Sequence, residues 1–165
     1  MNNITLFYGK KCANPEFSNF YIAPFVIEGA EYPSAEHYFM FEKARLFDPD
    51  GEAIKKMSGE LLPAQMKKLG RQVKNFDGAV WDEAGRGAMY RAVYAKFTQN
   101  PELKEKLLTT GNAIIAEASP FDRKWGIGMS ASNEDAYNPE KWQGRNWLGQ
   151  IITEVRDAIR AAEKV

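Results

Sequence analysis

The chain has 165 residues, with 22 Lys and Arg balancing 22 Asp and Glu, and it is 44% hydrophobic and 13% aromatic. That is a globular composition, expected to form one domain over 1–165 with a core large enough to hold a cleft. Zero net charge argues against bulk electrostatic coating of nucleic acid or anionic membrane, while a single cysteine, Cys12, and a single histidine, His37, exclude an internal disulfide and leave too few ligands for a structural zinc.

In chain order, Met1–Lys10 lacks the basic and apolar regions of a signal peptide. No apolar run approaches the ~20 residues that span a bilayer, so no membrane partner and a reducing cytoplasm are expected. Ile4, Leu6 and Tyr8 read as a short strand, and Lys10–Asn19 as a polar loop. Phe25–Ile27 and Ala30–Tyr32 flank Glu28-Gly29 as a hairpin. Ser34 is placed to cap a helix from about Ala35 to Leu46, ended by Asp48-Pro49. Shorter helices are expected at Asp50–Met57 and Pro63–Leu69, the second with Pro at its first position and Gly70 just past its end. Trp81–Phe97 gathers Trp81, Ala88, Met89, Ala92, Val93 and Phe97 on one broad face and is expected to be a central helix. Asn100-Pro101 opens another, to about Leu108, closed by Gly111. Ala113–Ala118 reads as a strand or extended segment, and Ser119–Gly144 as a long aperiodic loop that Trp125 and Trp142 keep ordered. The last helix, Asn146 to about Ala162, repeats Leu148, Ile151, Ile152, Val155 and Ile159 at helical spacing and packs. The fold class is therefore α+β and predominantly helical: a compact single domain of packed helices with a few short strands near the N-terminus.

Three stretches carry residue types suited to chemistry. Glu36 and Lys43 stand seven positions apart on the first helix, which returns them to nearly one face two turns (~11 Å) along, so a ligand fits between them. A structural account also exists: a first-turn carboxylate complements the helix dipole, Lys43 can be a solvated cation, and His37 can be a hydrogen-bonded structural residue. Glu117–Gly128 combines Asp122, Trp125, Gly126 and Gly128, which offer a carboxylate for a sugar hydroxyl or a catalytic group, a flat ring for a base and backbone that a ligand can approach closely. A tight turn around a buried Trp is the alternative. Trp142–Gly149 opens the last helix, whose free N-terminal amides can receive a phosphate or sugar oxygen.

Taken together, Phe17-Ser18-Asn19-Phe20, Tyr32–Phe39 with Lys43-Ala44, Gly70-Arg71, Lys96-Phe97, Glu117–Pro120 with Asp122, Trp125–Gly128 and Asn146–Gly149 resemble the NADAR superfamily of YbiA-like N-glycosidases. The resemblance runs in the same order over nearly the whole chain. It implies a compact, largely helical α+β domain that hydrolyses N-glycosidic bonds at ribose C1; no cofactor and no metal are expected. The implied substrate is a small nucleotide or an ADP-ribose-bearing molecule. Two forms stand open: a phosphoribosylamino-pyrimidine of the riboflavin pathway, and ADP-ribose on guanine, including in DNA or RNA. Met40 stands where many relatives carry Gln.

Breaking a C1–N bond needs electron push from the ribose or a nucleophile, and a proton for a poor nitrogen leaving group. A ring-opened glycosylamine can also be captured by an amine as a Schiff base. Glu36 is accordingly expected to act as general acid/base, Lys43 as the amine or an electrostatic partner, and Asp122 as a ribose-orienting or second acid/base carboxylate. Trp125 would stack on base or ribose, with Gly126, Gly128 and Asn146 holding sugar or phosphate. The resemblance also implicates Phe17, Ser18, Asn19 and His37, together with Gly70, Arg71 and Gly149, in substrate binding. A non-catalytic ADP-ribose or nucleotide-binding module is the competing expectation; it would keep the Trp-Gly loop but need not keep Glu36 and Lys43. A helical interaction protein ranks last, and the oligomeric state is open.

Overall fold

Two pairs of short strands frame a stack of helices in the computed structural model, which describes residues 3–9 and 12–165. Of the expected Lys10–Asn19 loop, residues 10 and 11 lie outside the described residues; the rest contains a 3-10 turn at Pro15–Phe17. Strand β1, Ile4–Phe7, pairs in parallel with β4, Ile114–Glu117, so that Ile4 faces Ile114 and Phe7 faces Glu117. Strands β2, Phe25–Ile27, and β3, Ala30–Tyr32, form the expected antiparallel hairpin. Its turn places both Glu28 and Gly29 at positive φ, the geometry that matches the twist of a tight hairpin.

Helix α1, Ala35–Phe47, starts where the sequence puts it: the Ser34 hydroxyl accepts from the His37 amide. Helices α2, Glu52–Met57, and α3, Pro63–Gly70, follow. Gly70 does not stop α3 from outside, as expected, but is its last residue. A Cβ there would overlap the Met40 sulfur, so the glycine lets α3 approach α1 closely. Helix α4, Gly78–Gln99, begins three residues before its first apolar anchor, Trp81, because the Asp77 carboxylate caps the Val80 amide. Helix α5, Pro101–Thr109, ends before Gly111 in the left-handed region, as expected. Helix α6, Trp147–Glu163, lies along β4 and α4.

The main core is shared by α1, α4 and α6 and includes Phe7, Phe17, Phe25, Phe97, Met89, Ile152 and Val155. Segment 119–144 has two 3-10 turns, Glu134–Tyr137 and Pro139–Lys141, and its own small core, in which Ile127, Met129 and Ala136 pack on Leu6 and Ala116. That second core is what orders a long stretch without helical or strand periodicity. Among the described residues no helix is long and apolar enough to cross a membrane.

Gly149 marks the closest approach of α6 to β4, since a Cβ there would overlap the Ile115 carbonyl oxygen. Gly149→Ala is expected to cost about 1–3 kcal/mol through overpacking, lowering Tm by about 2–4 °C per kcal/mol in a chain of this size. Thermal unfolding checks it; an unchanged Tm would contradict the close contact.

Candidate functional site

The first turn of α1, the face of α3 and the loop after β4 enclose a cavity of about 250 Å³. Three carboxylates line it: Glu36 from α1, Glu117 from the end of β4, and Asp122. Three cations, Lys43, Lys67 and Arg71, line it as well. Lys67 and Arg71 are four residues apart on α3 and its C-cap, which puts them on one helical face. Aromatic walls come from Phe20, Phe39, Trp81 and Trp125.

Each wall is fixed by contacts behind it. The Ser18–Phe20 segment is tied to α4 by Lys96, which is buried and donates from Nζ to the Ser18 carbonyl at 2.9 Å. Burial pushes the Lys96 ammonium down to about 7, with Glu16 acting against that shift. The next carbonyl, of Asn19, accepts the amide of Glu36, so the segment also closes the start of α1. The Asn19 Oδ1 atom is buried and has no hydrogen-bond partner among the described residues.

Asp122 closes an Asx turn, its Oδ1 accepting from the amides of Lys124 and Trp125 at 2.9 and 2.8 Å. That turn delivers Trp125 into the cavity wall, where its ring meets Phe39 edge-on at 5.2 Å and Trp147 at 5.5 Å. Glu117 is fixed through its backbone. Its amide donates to Asn146 Oδ1 at 3.1 Å, and its carbonyl accepts from Ile127 at 2.9 Å.

Electrostatics set the two glutamates apart from ordinary carboxylates. Burial pushes Glu36 up from 4.5 to about 7; Lys67 and Lys43 oppose the shift and Asp122 adds to it. Burial likewise pushes Glu117 up to about 7, with Asp122 and Glu36 adding and Lys67 opposing. Lys43 is half-buried and lowered by that burial, although Glu36 raises it; its Nζ rests 4.4 Å from the centre of the Phe76 ring. Among the described residues no three His, Cys, Asp or Glu side chains converge closely enough to hold a metal ion.

The residues expected from the sequence therefore divide into two groups. Glu36, Lys43, Asp122, Ser18, Asn19, Arg71 and Trp125 come together on the cavity. The others stand behind it. Phe17 is a core ring against Phe7 and Phe97. His37 joins Ser34 Oγ at Nδ1 and the Leu61 carbonyl at Nε2, and burial lowers it, so it ties the α1 cap to the loop before α3. Gly70 and Gly149 serve helix packing. Gly126 lies within a tight turn against the Glu117 and Asp122 carbonyls, and Gly128, at positive φ, packs on Gln143. Asn146 binds the Ile115 carbonyl at 2.9 Å as well as the Glu117 amide. The expected anion site at the start of α6 is not available, because the amides of Asn146, Trp147 and Leu148 donate to the carbonyls of Gly126, Lys124 and Trp125. Sequence reasoning does not single out Glu117 or Lys67. Glu117 lies in the same motif as Asp122, at the end of β4 where it pairs with Phe7 of β1.

A family model described as the NADAR domain matches residues 6–160. N-glycosidase R617 of Acanthamoeba polyphaga mimivirus is 42% identical over 130 residues, covering 79% of this chain and 76% of that protein. N-glycosidase YbiA of Escherichia coli (strain K12) is 31% identical over 163 residues, covering 99% and 92%. The NMR structure of E. coli YbiA superposes with a TM-score of 0.78 at 27% identity, covering 99% of this chain and 89% of that one. Riboflavin biosynthesis protein PYRR, chloroplastic, of Zea mays is 29% identical over 170 residues, 95% of this chain but 25% of that protein.

The raised Glu36 has a sign that stability measurements can read. The folded state keeps a proton between 4.5 and about 7 that the unfolded chain releases, so this group favours folding most at low pH and its contribution falls as pH rises through that window. The full difference is on the order of 3 kcal/mol. Glu36→Gln removes it, and the variant is expected to unfold at a higher temperature than the parent at about pH 8, with the gap closing toward about pH 5. A variant less stable at both values would contradict the burial of an ionising group.

Proposed function

The chain belongs to the NADAR domain family and is a hydrolase of N-glycosyl bonds, and we propose that its substrate is a phosphorylated ribosylamine of the phosphoribosylamino-pyrimidine class. The observation that carries this reading is the composition of the cavity. Proton-carrying carboxyls form one part of its wall, and Lys43, Lys67 and Arg71, none of them ion-paired among the described residues, form another. A ribosyl phosphate presents the complementary pair: a dianion for the cations and an anomeric carbon for the carboxyls. The unpartnered Asn19 Oδ1 suits a ribose hydroxyl. The name of the maize relative, a riboflavin biosynthesis protein, is consistent with a pyrimidine intermediate of that pathway. ADP-ribose on guanine is the competing substrate.

In this proposal Glu36 is an acid/base group at C1, poised near neutrality where proton transfer in both directions is efficient. Asp122, held by two backbone amides, orients the ribose. Trp125 closes the cavity over the sugar or base. Lys43 is desolvated toward its neutral amine, the form that attacks a ring-opened C1 to give an imine that water then releases. A non-catalytic binding module is less favoured, because a module that only binds gains nothing from two carboxyls raised toward neutral pH facing its ligand.

Three results check the proposal. Purified protein is expected to release the amine from a phosphoribosylamino-pyrimidine and to leave ADP-ribosylated guanine DNA unchanged; the reverse outcome transfers the assignment to the competing substrate. Glu36→Gln is expected to lose about 10²-fold or more in kcat with little change in affinity, and parental turnover would remove Glu36 from the chemistry. Borohydride added during turnover is expected to trap a sugar adduct on Lys43, seen by mass spectrometry. An active Lys43→Arg variant together with no adduct would make Lys43 an electrostatic cation only.

A further inference from the structure

Beside the catalytic cavity lies a second, larger chamber of about 550 Å³. The two share Ser18, Phe20, Lys67, Glu117 and Asp122 as lining, so these residues form the neck where the chambers adjoin. Beyond the neck the outer chamber is lined by Tyr8, Cys12, Ser119 and Phe121. Phe121 is 88% exposed, a large ring left in water at the mouth. Lys43, Arg71 and Glu36 line the inner chamber only. An N-glycoside has the same two-part shape, a sugar and a nitrogen heterocycle joined by one bond. With the anionic sugar among the inner cations, the scissile bond lies at the neck and the heterocycle lies beside Phe20, Tyr8 and Phe121.

Resting on the N-glycosidase reading, we propose that Glu117 is the acid that protonates the departing nitrogen, and that the outer chamber receives the aromatic amine it leaves on. Glu117 is the one member of the neck whose backbone is fixed on both sides while its carboxyl group makes no hydrogen bond among the described residues. A rigid backbone carrying an unengaged carboxyl is preorganised toward a ligand.

The charges around the neck support the same division of labour. Glu117 is faced by Glu36 from α1, Lys67 from α3 and Asp122 from its own loop, with Tyr8 and Cys12 lining the outer chamber. The repulsion between Glu36 and Glu117 is mutual and favours neither as the holder of a proton; both also face Asp122 and Lys67, and Glu36 alone faces Lys43, which stabilises its carboxylate. That extra cation suits Glu36 to the part of base and Glu117 to the part of acid.

The step then balances. The C1–N bond breaks with its electron pair going to nitrogen, and the Glu117 proton moves to that nitrogen, releasing a neutral amine. Water adds to C1 and gives its proton to the Glu36 carboxylate, leaving the sugar with a C1 hydroxyl. Glu36 returns that proton through solvent to Glu117. Where Lys43 rather than water meets C1 first, the protonation of the leaving nitrogen is the same.

The test compares the parent with Glu117→Gln on N-ribosyl phosphates whose leaving groups differ in need for a proton: an aminopyrimidine, and a pyridinium whose nitrogen departs neutral without one. Glu117→Gln is expected to lose about 10²-fold or more in kcat on the aminopyrimidine while releasing pyridine at close to the parental rate. Equal losses on both, or no loss on either, overturn the assignment of Glu117. A parent that hydrolyses neither compound overturns the ribosylamine phosphate substrate reading on which the proposal rests. For a parent that takes only the aminopyrimidine, the pH profile decides: kcat must fall above about 7 as Glu117 deprotonates, and that limb must vanish in the variant. A limb that persists in Glu117→Gln overturns the proposal. Thermal unfolding of the variant at neutral pH establishes that the protein compared is folded.

Discussion

Removing carboxyl groups from water beside one another is the interaction on which the site depends. A buried carboxylate without compensation costs several kcal/mol, and a neighbouring like charge adds to that cost, so the group keeps its proton instead. Glu36, Glu117 and Asp122 share one small cavity, and the first two are pushed to about 7. Neutral pH then finds the pair near half-protonation, the condition for donating a proton to one atom and taking one from another. Lys67 and Lys43 limit the shift of Glu36, and Lys67 limits that of Glu117.

Such an arrangement is unfavourable for folding and persists only because the surroundings over-determine it. Ser34, His37 and the Asn19 carbonyl fix the backbone of the first turn of α1, from which Glu36 lines the cavity. Asn146 grips both the carbonyl of Ile115 and the amide of Glu117, holding the end of β4. Lys96, itself buried and lowered, anchors the Ser18 carbonyl from α4. Replacing Ser34, His37, Asn146 or Lys96 with an apolar residue would leave a buried partner unsatisfied, which is costlier than the loss of one hydrogen bond. The aromatic and aliphatic core of α1, α4 and α6 supplies the opposing stability.

Local signals in the sequence carried the elements whose causes are local. The Glu28-Gly29 turn, the Ser34 cap and the apolar stripe of α6 each follow from a few adjacent residues, and each is present. Glu36, Lys43, Asp122 and Trp125 were legible as candidates because two short motifs hold them, and the structure brings the motifs together. What was not legible depends on pairing across the chain. Gly70 looked like a helix stop because its partner, the Met40 sulfur, is thirty residues away. The amides at the start of α6 looked free because the carbonyls that take them belong to 124–126. Glu117 reached the cavity through the pairing of β4 with β1, and Lys67 through the docking of α3 on α1, neither of which periodicity reveals.

The central claim is that two glutamates, Glu36 buried and Glu117 half-buried, hold a proton near neutrality inside one cavity. Carbon-13 NMR titration of the glutamate side-chain carboxyls, assigned by single Glu→Gln variants, reads it directly. Two resonances, Glu36 and Glu117, should titrate near pH 7, and Glu36→Gln should move the Glu117 midpoint downward because the Glu36 charge helps to raise it. Midpoints for both groups near the ordinary 4.5, with no response of one to removal of the other, would contradict the account.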